Sequence, residues 1–472
     1  MSQPNILLIM TDQQRGDCLG VEGHPVLLTP TMDNIAANGV RFTKFYSPCP
    51  SCIATRRSIM SGMSPQLNGM VGYKDGEQWN PPATLPGILA DHGYQTGLVG
   101  RNMHQYPPEK LFGFGDMFSN KFASVPGENY DSWLEKVGPE GSCGWFGGGV
   151  MHNDHTARPW HLDDHLHLTN WTVNRSLQWL EERDRDKPFF LSVGFIAPHP
   201  PLRPPAFYME RYLRTGVPDR IVGDWATAPV FGSQNDLISP SHIDLKGEAL
   251  LSARAAYYGS INHVDDQMRR LLNSITMGGL GLNDNTIVIF TSDHGEMLGD
   301  HYAWRKSVPY EASARVPFMI QAPKKFGIDR TSTVNAVATH TDIMPTLLDL
   351  VGIDIPDHID GKSLMPLIRG EQTQCREYLH IEHAPVHQTL TDGVEKYIWM
   401  PADGREQFFD LAIDPDECTN LICDPKYADR VTLWRDRMIK ELADRPEGFS
   451  DGKVLIAGKL YSSMIPGRSI TQ

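Results

Sequence analysis

Apolar residues along the chain fall into two rhythms. Asn5 to Met10, NILLIM, is a continuous apolar run that stops at Asp12 and Gln13. A short apolar run without polar alternation is the pattern of a strand buried on both faces. KPFFLSVGF and NTIVIFTSDHG repeat it, the second ending in acid and histidine. Between such runs the period becomes helical. TPTMDNIAANGV predicts a short helix with Thr29 as cap and Gly39 as stop. TLPGILADHGYQTGLVGR predicts a helix, a turn at Gly93, then a strand. TNWTVNRSLQWLEERD places Val173, Leu177 and Leu180 on one stripe. Tyr257, Ile261, Val264, Met268 and Leu271 mark a long helix, and TDIMPTLLDLVG another that stops at Gly352.

Strands alternating with helices predict an α/β fold with a large, mixed, mostly parallel sheet sandwiched by helices. The polar stretch IRGEQTQCRE reads as a boundary. Beyond it, short strands and a charged helix from about Tyr427 to Asp444 predict a smaller α+β subdomain. The expected units are residues 1–372 and 373–472.

Composition narrows the partners. The chain has 472 residues and a net charge of −14, which argues against nucleic acid or an anionic membrane as main partner. A small anion remains open, because a pocket can be locally positive. Seven irregularly spaced cysteines do not make a disulfide framework, and CPSC alone does not make a zinc site. No apolar run reaches the roughly 18 residues of a membrane span. The N-terminus lacks a basic region and a small-residue cleavage site, so a cytoplasmic location is expected, or a periplasmic one if a leader was removed.

In parallel α/β sheets, ligands gather beyond the carboxyl ends of the strands. Two such ends carry metal-type groups: Asp12 with Gln13, and Asp293 with His294. Oxygen-rich donors suit Ca²⁺ or Mg²⁺, and the histidine leaves Mn²⁺ open. Acids at strand ends also cap helices, but two such ends together favour a metal. In SPCPSCIATRRSIMSG, Cys52 precedes Arg56 by four residues, so both share a face of a starting helix. A thiol beside a helix N-terminus and a guanidinium is expected to have a lowered pKa; the other reading of C-x-x-x-R alone, and the commoner one, is a buried cysteine with an unrelated surface arginine. MHNDHTARPWHLDDHLHLTNW reads either as a sugar-binding loop, with Trp160 as platform and His165 or His167 at a subsite, or as an ordinary surface loop. His24, His92 and His340 are expected to be structural, Arg315 to be an ion-pair partner, and His301 to lie between the two readings.

These residues together resemble the type I sulfatases of the alkaline phosphatase superfamily. The family motif C-x-P-S-R-x-S-x-x-T-G aligns with CIATRRSIMSG, Cys52 to Gly62. PNILLIMTDQQR, TPTMDNIAANGVRFTKFYS, APHPPLRPP, SDHGEMLGDHYAWRK, HTDIMPTLLDLVGI, DGKSLMPLI and FFDLAIDPDECTNL follow in family order. Ala54 and Thr55 stand where proline and serine are commonest. Arg101 stands for the lysine of the family's G-K-x-H, with His104 one residue further on.

The resemblance implies an alkaline phosphatase-like fold and hydrolysis of a sulfate monoester. It implies that a formylglycine-generating enzyme oxidises Cys52 to Cα-formylglycine, whose hydrate is the nucleophile. Asp12, Gln13, Cys52, Asp293 and His294 would hold a divalent metal, usually Ca²⁺. Arg56 would hold formylglycine in place, Lys306 and Arg101 would bind the sulfate, and His199 and His104 would serve catalysis, with His199 near the leaving group. The histidine- and tryptophan-rich loop adds a carbohydrate, small or oligomeric, as the substrate's other half. The alternatives are a phosphonate monoester or phosphodiester hydrolase, and a catalytically silent protein that binds a sulfated ligand. An oligomer is left open.

Overall fold

The computed structural model describes residues 3–229, 241–276, 282–328, 332–459 and 461–465. Its strands, in chain order, are β1 Asn5–Asp12, β2 Val40–Phe42, β3 Phe45–Tyr46, β4 Gln95–Gly100, β5 Asp116–Ser119, β6 Phe189–Pro198 and β7 Thr286–Ser292. Then come β8 Phe318–Gln321, β9 Ser332–Val334, β10 Ala338–Thr339, β11 Leu379–His383, β12 His387–Thr391, β13 Glu395–Trp399 and β14 Glu406–Asp410. The main sheet runs β5-β4-β6-β1-β7-β8-β2-β9. Only β8 is reversed, pairing antiparallel with β7 and β2. The sheet is therefore mixed and mostly parallel, as the alternating pattern predicts.

β1 shows why its sequence has no polar alternation. Leu7 and Ile9 enter one apolar core, with Tyr257, Ile261, Val264, Met268 and Leu271 of the long helix Gly247–Thr276. Ile6, Leu8 and Met10 enter the other, with Ile343, Met344, Leu347 and Leu348 of the helix Ile343–Val351. Both faces are covered, so every position from Ile6 to Met10 is apolar. Burying one such side chain contributes about 1.5–3 kcal/mol.

Three local expectations change in the fold. Thr29 precedes the helix Pro30–Ala37, but its hydroxyl does not cap it. The carboxylate of Asp265, on the long helix, accepts the N–H groups of Thr31 and Met32 instead. Gly39 lies past the helix end at Asn38. Its role is close approach: a Cβ there would sit 2.2 Å from the Ile320 carbonyl oxygen of β8. Leu177 is only half-buried, whereas Val173 and Leu180 are in the core.

β11 to β14 form a separate antiparallel meander. The helix Ala428–Glu441 packs on it through Val431, Trp434 and Met438, against Leu390, Tyr397 and Phe408. β11 also reaches the large sheet's loops, where the Glu382 N–H donates to Pro48 and the Ala384 N–H to Val71. Residues 460 and 466–472 of the expected C-terminal unit lie outside the described residues. Among the described residues, no helix is long and apolar enough to cross a membrane.

Candidate active site

Strand order builds the site. β4, β6, β1 and β7 are parallel neighbours, so their carboxyl ends lie side by side. The residues at or just past those ends are Arg101, His199, Asp12 with Gln13, and Asp293 with His294. Gly100 lets β4 come close enough: its φ is +92°, and a Cβ would lie 2.0 Å from the Gly194 carbonyl of β6. The helix Cys52–Ser61 brings Cys52 to this edge at its first residue.

Asp12, Cys52, Asp293 and His294 each offer one ligand atom, all within 4.8 Å of one another and all buried. The Cys52 Sγ lies 3.1 Å from His294 Nε2 and 3.6 Å from Asp12 Oδ1. His294 Nδ1 meets the Gly295 carbonyl at 3.0 Å, so it carries the proton and leaves the Nε2 lone pair facing the cluster. Burial, and then the Lys306 ammonium, lower the His294 pKa and keep the ring neutral, as a metal ligand must be. Two carboxylates, an imidazole lone pair and an atom of residue 52 thus suit a divalent cation.

The outer carboxylate oxygens hold the arginines. Arg56, fully buried, donates Nε to Asp293 Oδ2 at 2.9 Å, Nη2 to Asp12 Oδ2 at 3.2 Å and Nη1 to the Asn102 carbonyl at 3.1 Å. Arg101 donates Nε to the same Asp12 oxygen at 2.9 Å, and its Nη2 meets His104 Nδ1 at 3.2 Å. Burial resists ionisation of Asp12, but the guanidinium groups of Arg101 and Arg56 outweigh it and hold its pKa well below the usual carboxylate value. Breaking such a buried pair costs about 3–5 kcal/mol, so these groups are fixed before any ligand arrives.

Lys306 faces the same space. Its Nζ donates to Gln13 Oε1 at 2.6 Å and meets His199 Nε2 at 3.1 Å. His199 Nδ1 donates to the Pro200 carbonyl at 2.6 Å, so Nε2 is the acceptor. Gln13 sits beside the cluster, its N–H donating to Asp293 Oδ1 at 3.0 Å. Its amide is turned to Lys306 and Glu296.

Two supporting residues escaped the sequence reading. Glu296 takes the Gln13 Nε2, and the Tyr257 hydroxyl donates to the Gln13 carbonyl at 2.6 Å. The signal for Glu296 was present as the last letter of SDHGE. Tyr257 reads only as a core position of the long helix.

The thiol expectation is corrected. Burial, and then the Asp12 carboxylate, push the Cys52 pKa up to about 12, and Lys306 and Arg101 oppose this without prevailing. Trp160, read as a sugar platform, is buried, with Nε1 donating to the Asp163 carbonyl. His165 is exposed. His301 packs on Trp225 and accepts the Gly223 N–H, away from the cluster. Arg315 pairs with Glu22 and Glu311 as expected. His24 and His92 bond local backbone groups, and His340 donates Nε2 to the Ser292 carbonyl at the end of β7 at 2.7 Å. Thr55 uses its hydroxyl to reach the Cys49 carbonyl at 2.7 Å, tying the helix start to the loop before it.

Buried neutral histidines set an acid limit. Burial lowers the pKa of His104 and His167 to about 3, and of His340 and His383 to about 4. Unfolded, each takes a proton near pH 6.5. Between these values the unfolded state binds more protons, so stability is present above about pH 6.5 and is lost as pH falls toward 4. Thermal melts should show Tm falling steeply through that window; a flat Tm from pH 7 to 4 would contradict it.

The family model named Sulfatase matches residues 4–353, and the model for the N-sulphoglucosamine sulphohydrolase C-terminal region matches residues 299–444. An arylsulfatase of Clostridium perfringens (strain 13 / Type A) is 41% identical, covering 98% of this chain and 99% of its own. The phosphonate monoester hydrolase structure from Agrobacterium radiobacter is similar with a TM-score of 0.77 at 26% identity, over 93% of this chain and 96% of that one. A structure described as BT4656 in complex with its substrate D-glucosamine-2-N,6-O-disulfate is similar at a TM-score of 0.72 and 23% identity, over 94% and 99%. With an acid-histidine-cysteine cluster at the strand ends and a family match over most of its length, this chain belongs to the sulfatases and is an enzyme that hydrolyses sulfate esters.

Proposed function

We propose that the enzyme removes sulfate from a carbohydrate ester, with residue 52 as formylglycine and a divalent cation, Ca²⁺ or else Mn²⁺ or Mg²⁺, held by Asp12, Asp293, His294 and residue 52. One observation carries this reading: Cys52 stands within the acid-histidine cluster, with Arg56, Arg101 and Lys306 around it. Sulfur is the donor a hard cation favours least, and oxidation to formylglycine by a maturing enzyme puts oxygen at that position. When present, the hydrated aldehyde supplies one hydroxyl to attack sulfur and a second to release sulfate, and the cation supplies Lewis acidity.

The chain's own residues do the rest. Two carboxylates face three cations, Arg56, Arg101 and Lys306, so the site is positive inside an acidic protein. Arg101 and Lys306 take sulfate oxygens and stabilise the charge that develops on them. Arg56, anchored by both aspartates, positions residue 52. His104, backed by Arg101, lies at the same edge.

His199 is assigned to the leaving-group oxygen, with one refinement. Burial, and then the Lys306 ammonium, push its pKa well below the usual histidine value. Without substrate it is neutral. An anionic sulfate that draws Lys306 away offsets the second cause and lets Nε2 carry a proton. His199→Ala should therefore lower kcat/KM about 10²–10⁴-fold for an alkyl or sugar sulfate. The loss should be much smaller for 4-nitrophenyl sulfate, whose leaving group needs no proton. Equal losses on both would remove His199 from that role. Turnover of a phosphodiester above that of the sulfate ester in the same assay would favour the phosphodiesterase alternative.

A further inference from the structure

A cavity of about 20 Å³ adjoins His199, lined among others by Trp145, His167, Thr169, Arg203 and Ser260, with no carboxylate in its lining. Arg203 is its unusual member. It is 2% exposed, with its guanidinium 4.4 Å from the ring of Trp145 and 5.4 Å from that of Trp160. Nη1 donates to the Trp145 carbonyl, while Nε and Nη2 are buried without a partner. Among the described residues no acid pairs with it. A buried cation without a counter-charge is costly and rare, and persists where something else completes it.

Its neighbours cannot complete it. His167 accepts the Thr169 N–H at Nδ1 and so donates Nε2–H to the Arg203 carbonyl, which leaves the ring no acceptor for the guanidinium. Prolines at 200, 201, 204 and 205 restrict the segment, so the offset between His199 and Arg203 is set by the backbone. About 10–15 Å³ holds one water-sized group, so this cavity admits the oxygens of an anionic substituent and not a sugar ring.

We propose that the cavity receives a second anionic group of the substrate, a carboxylate or another sulfate, and that Arg203 thereby selects polyanionic saccharide esters over singly sulfated ones. This rests on the reading that His199 stands at the leaving group. Arg203 is a specificity residue that touches the substituent and not the reacting sulfur.

The test compares the matured enzyme on glucose 6-sulfate and on glucose disulfates carrying the second sulfate at C2, C3 or C4. At least one disulfate should exceed the monosulfate in kcat/KM by about tenfold or more, the value of one charged hydrogen bond. Arg203→Met should bring that ratio to about one, and Arg203→Lys should keep part of it. A wild-type ratio near one, or equal losses on both substrates in Arg203→Met, overturns the proposal. A second arm needs no turnover. In protein with Cys52 unmodified, methyl glucuronide should quench tryptophan fluorescence where methyl glucoside does not, and Arg203→Met should abolish the quenching. If sugar sulfates are not hydrolysed but this difference appears, the carbohydrate-ester reading fails and the anion site stands. If chloride saturates the quenching and no disulfate is preferred, the cavity holds an inorganic ion and the proposal is overturned.

Discussion

Cys52→Ala should turn over 4-nitrophenyl sulfate at least about 10⁴-fold more slowly than the matured enzyme, with nearly unchanged thermal stability. The expectation comes from position. The Cys52 Sγ is 3.1 Å from His294 Nε2, inside the only acid-histidine-cysteine group found among the described residues. A thiol whose pKa lies at about 12 is protonated at neutral pH and is a poor nucleophile. Protein made without a maturing enzyme should therefore be inactive, although folded. The tryptic peptide Phe45–Arg56 offers an internal control, because it also carries Cys49. In active protein it should be about 18 Da lighter than its sequence mass, with one alkylatable thiol left. Cys52→Ser supplies one hydroxyl and no second, so it should accept sulfate once and gain about 80 Da. Full activity with an unmodified peptide would sink the formylglycine reading.

Stripping divalent metal with a chelator should lower activity by about 10³-fold or more, and Ca²⁺, Mn²⁺ or Mg²⁺ should restore it. Asp12 and Asp293 have their Oδ2 atoms on Arg56, which leaves both Oδ1 atoms turned toward Cys52 and His294. Like charges at that range in a buried place repel unless a cation lies between them. Binding of metal to the folded state alone stabilises it by about 2.7 kcal/mol at a hundredfold excess over Kd, so Tm should rise with metal concentration. The metal that gives the largest rise identifies the preferred ion. Asp293→Asn, which keeps the shape but loses the charge, should abolish that rise. Metal-free protein, verified by elemental analysis, with full activity would overturn the assignment.

The continuous apolar runs were legible because β1, β6 and β7 are covered on both faces, and each run ends where the chain reaches the sheet's carboxyl edge. Cys52 with Arg56, Asp12 with Gln13 and Asp293 with His294 were legible for the same reason: each pair is close in sequence and begins at or just past an element's end. Asp265 capping a helix more than two hundred residues away, and Tyr257 steadying Gln13, were not. Their signal is shared with ordinary core positions, since a helix residue's period does not say what meets its far end. Trp160 failed for a related reason: a tryptophan in a polar loop can as well pack against Arg203 as face a sugar.

By itself the sequence determined the class of fold, the strand ends that carry chemistry and the residue types gathered there, because periodicity and local spacing are set by near neighbours in the chain. Tertiary structure alone decided the protonation of that chemistry. The Cys52 thiol is pushed up, not down, because burial and the Asp12 carboxylate from β1 outweigh the Lys306 ammonium and the Arg101 guanidinium. His199 is neutral because it is buried and because a lysine from a distant loop lies 3.1 Å away. Charge interactions depend on distance through a low-dielectric interior, and only the folded chain sets that distance.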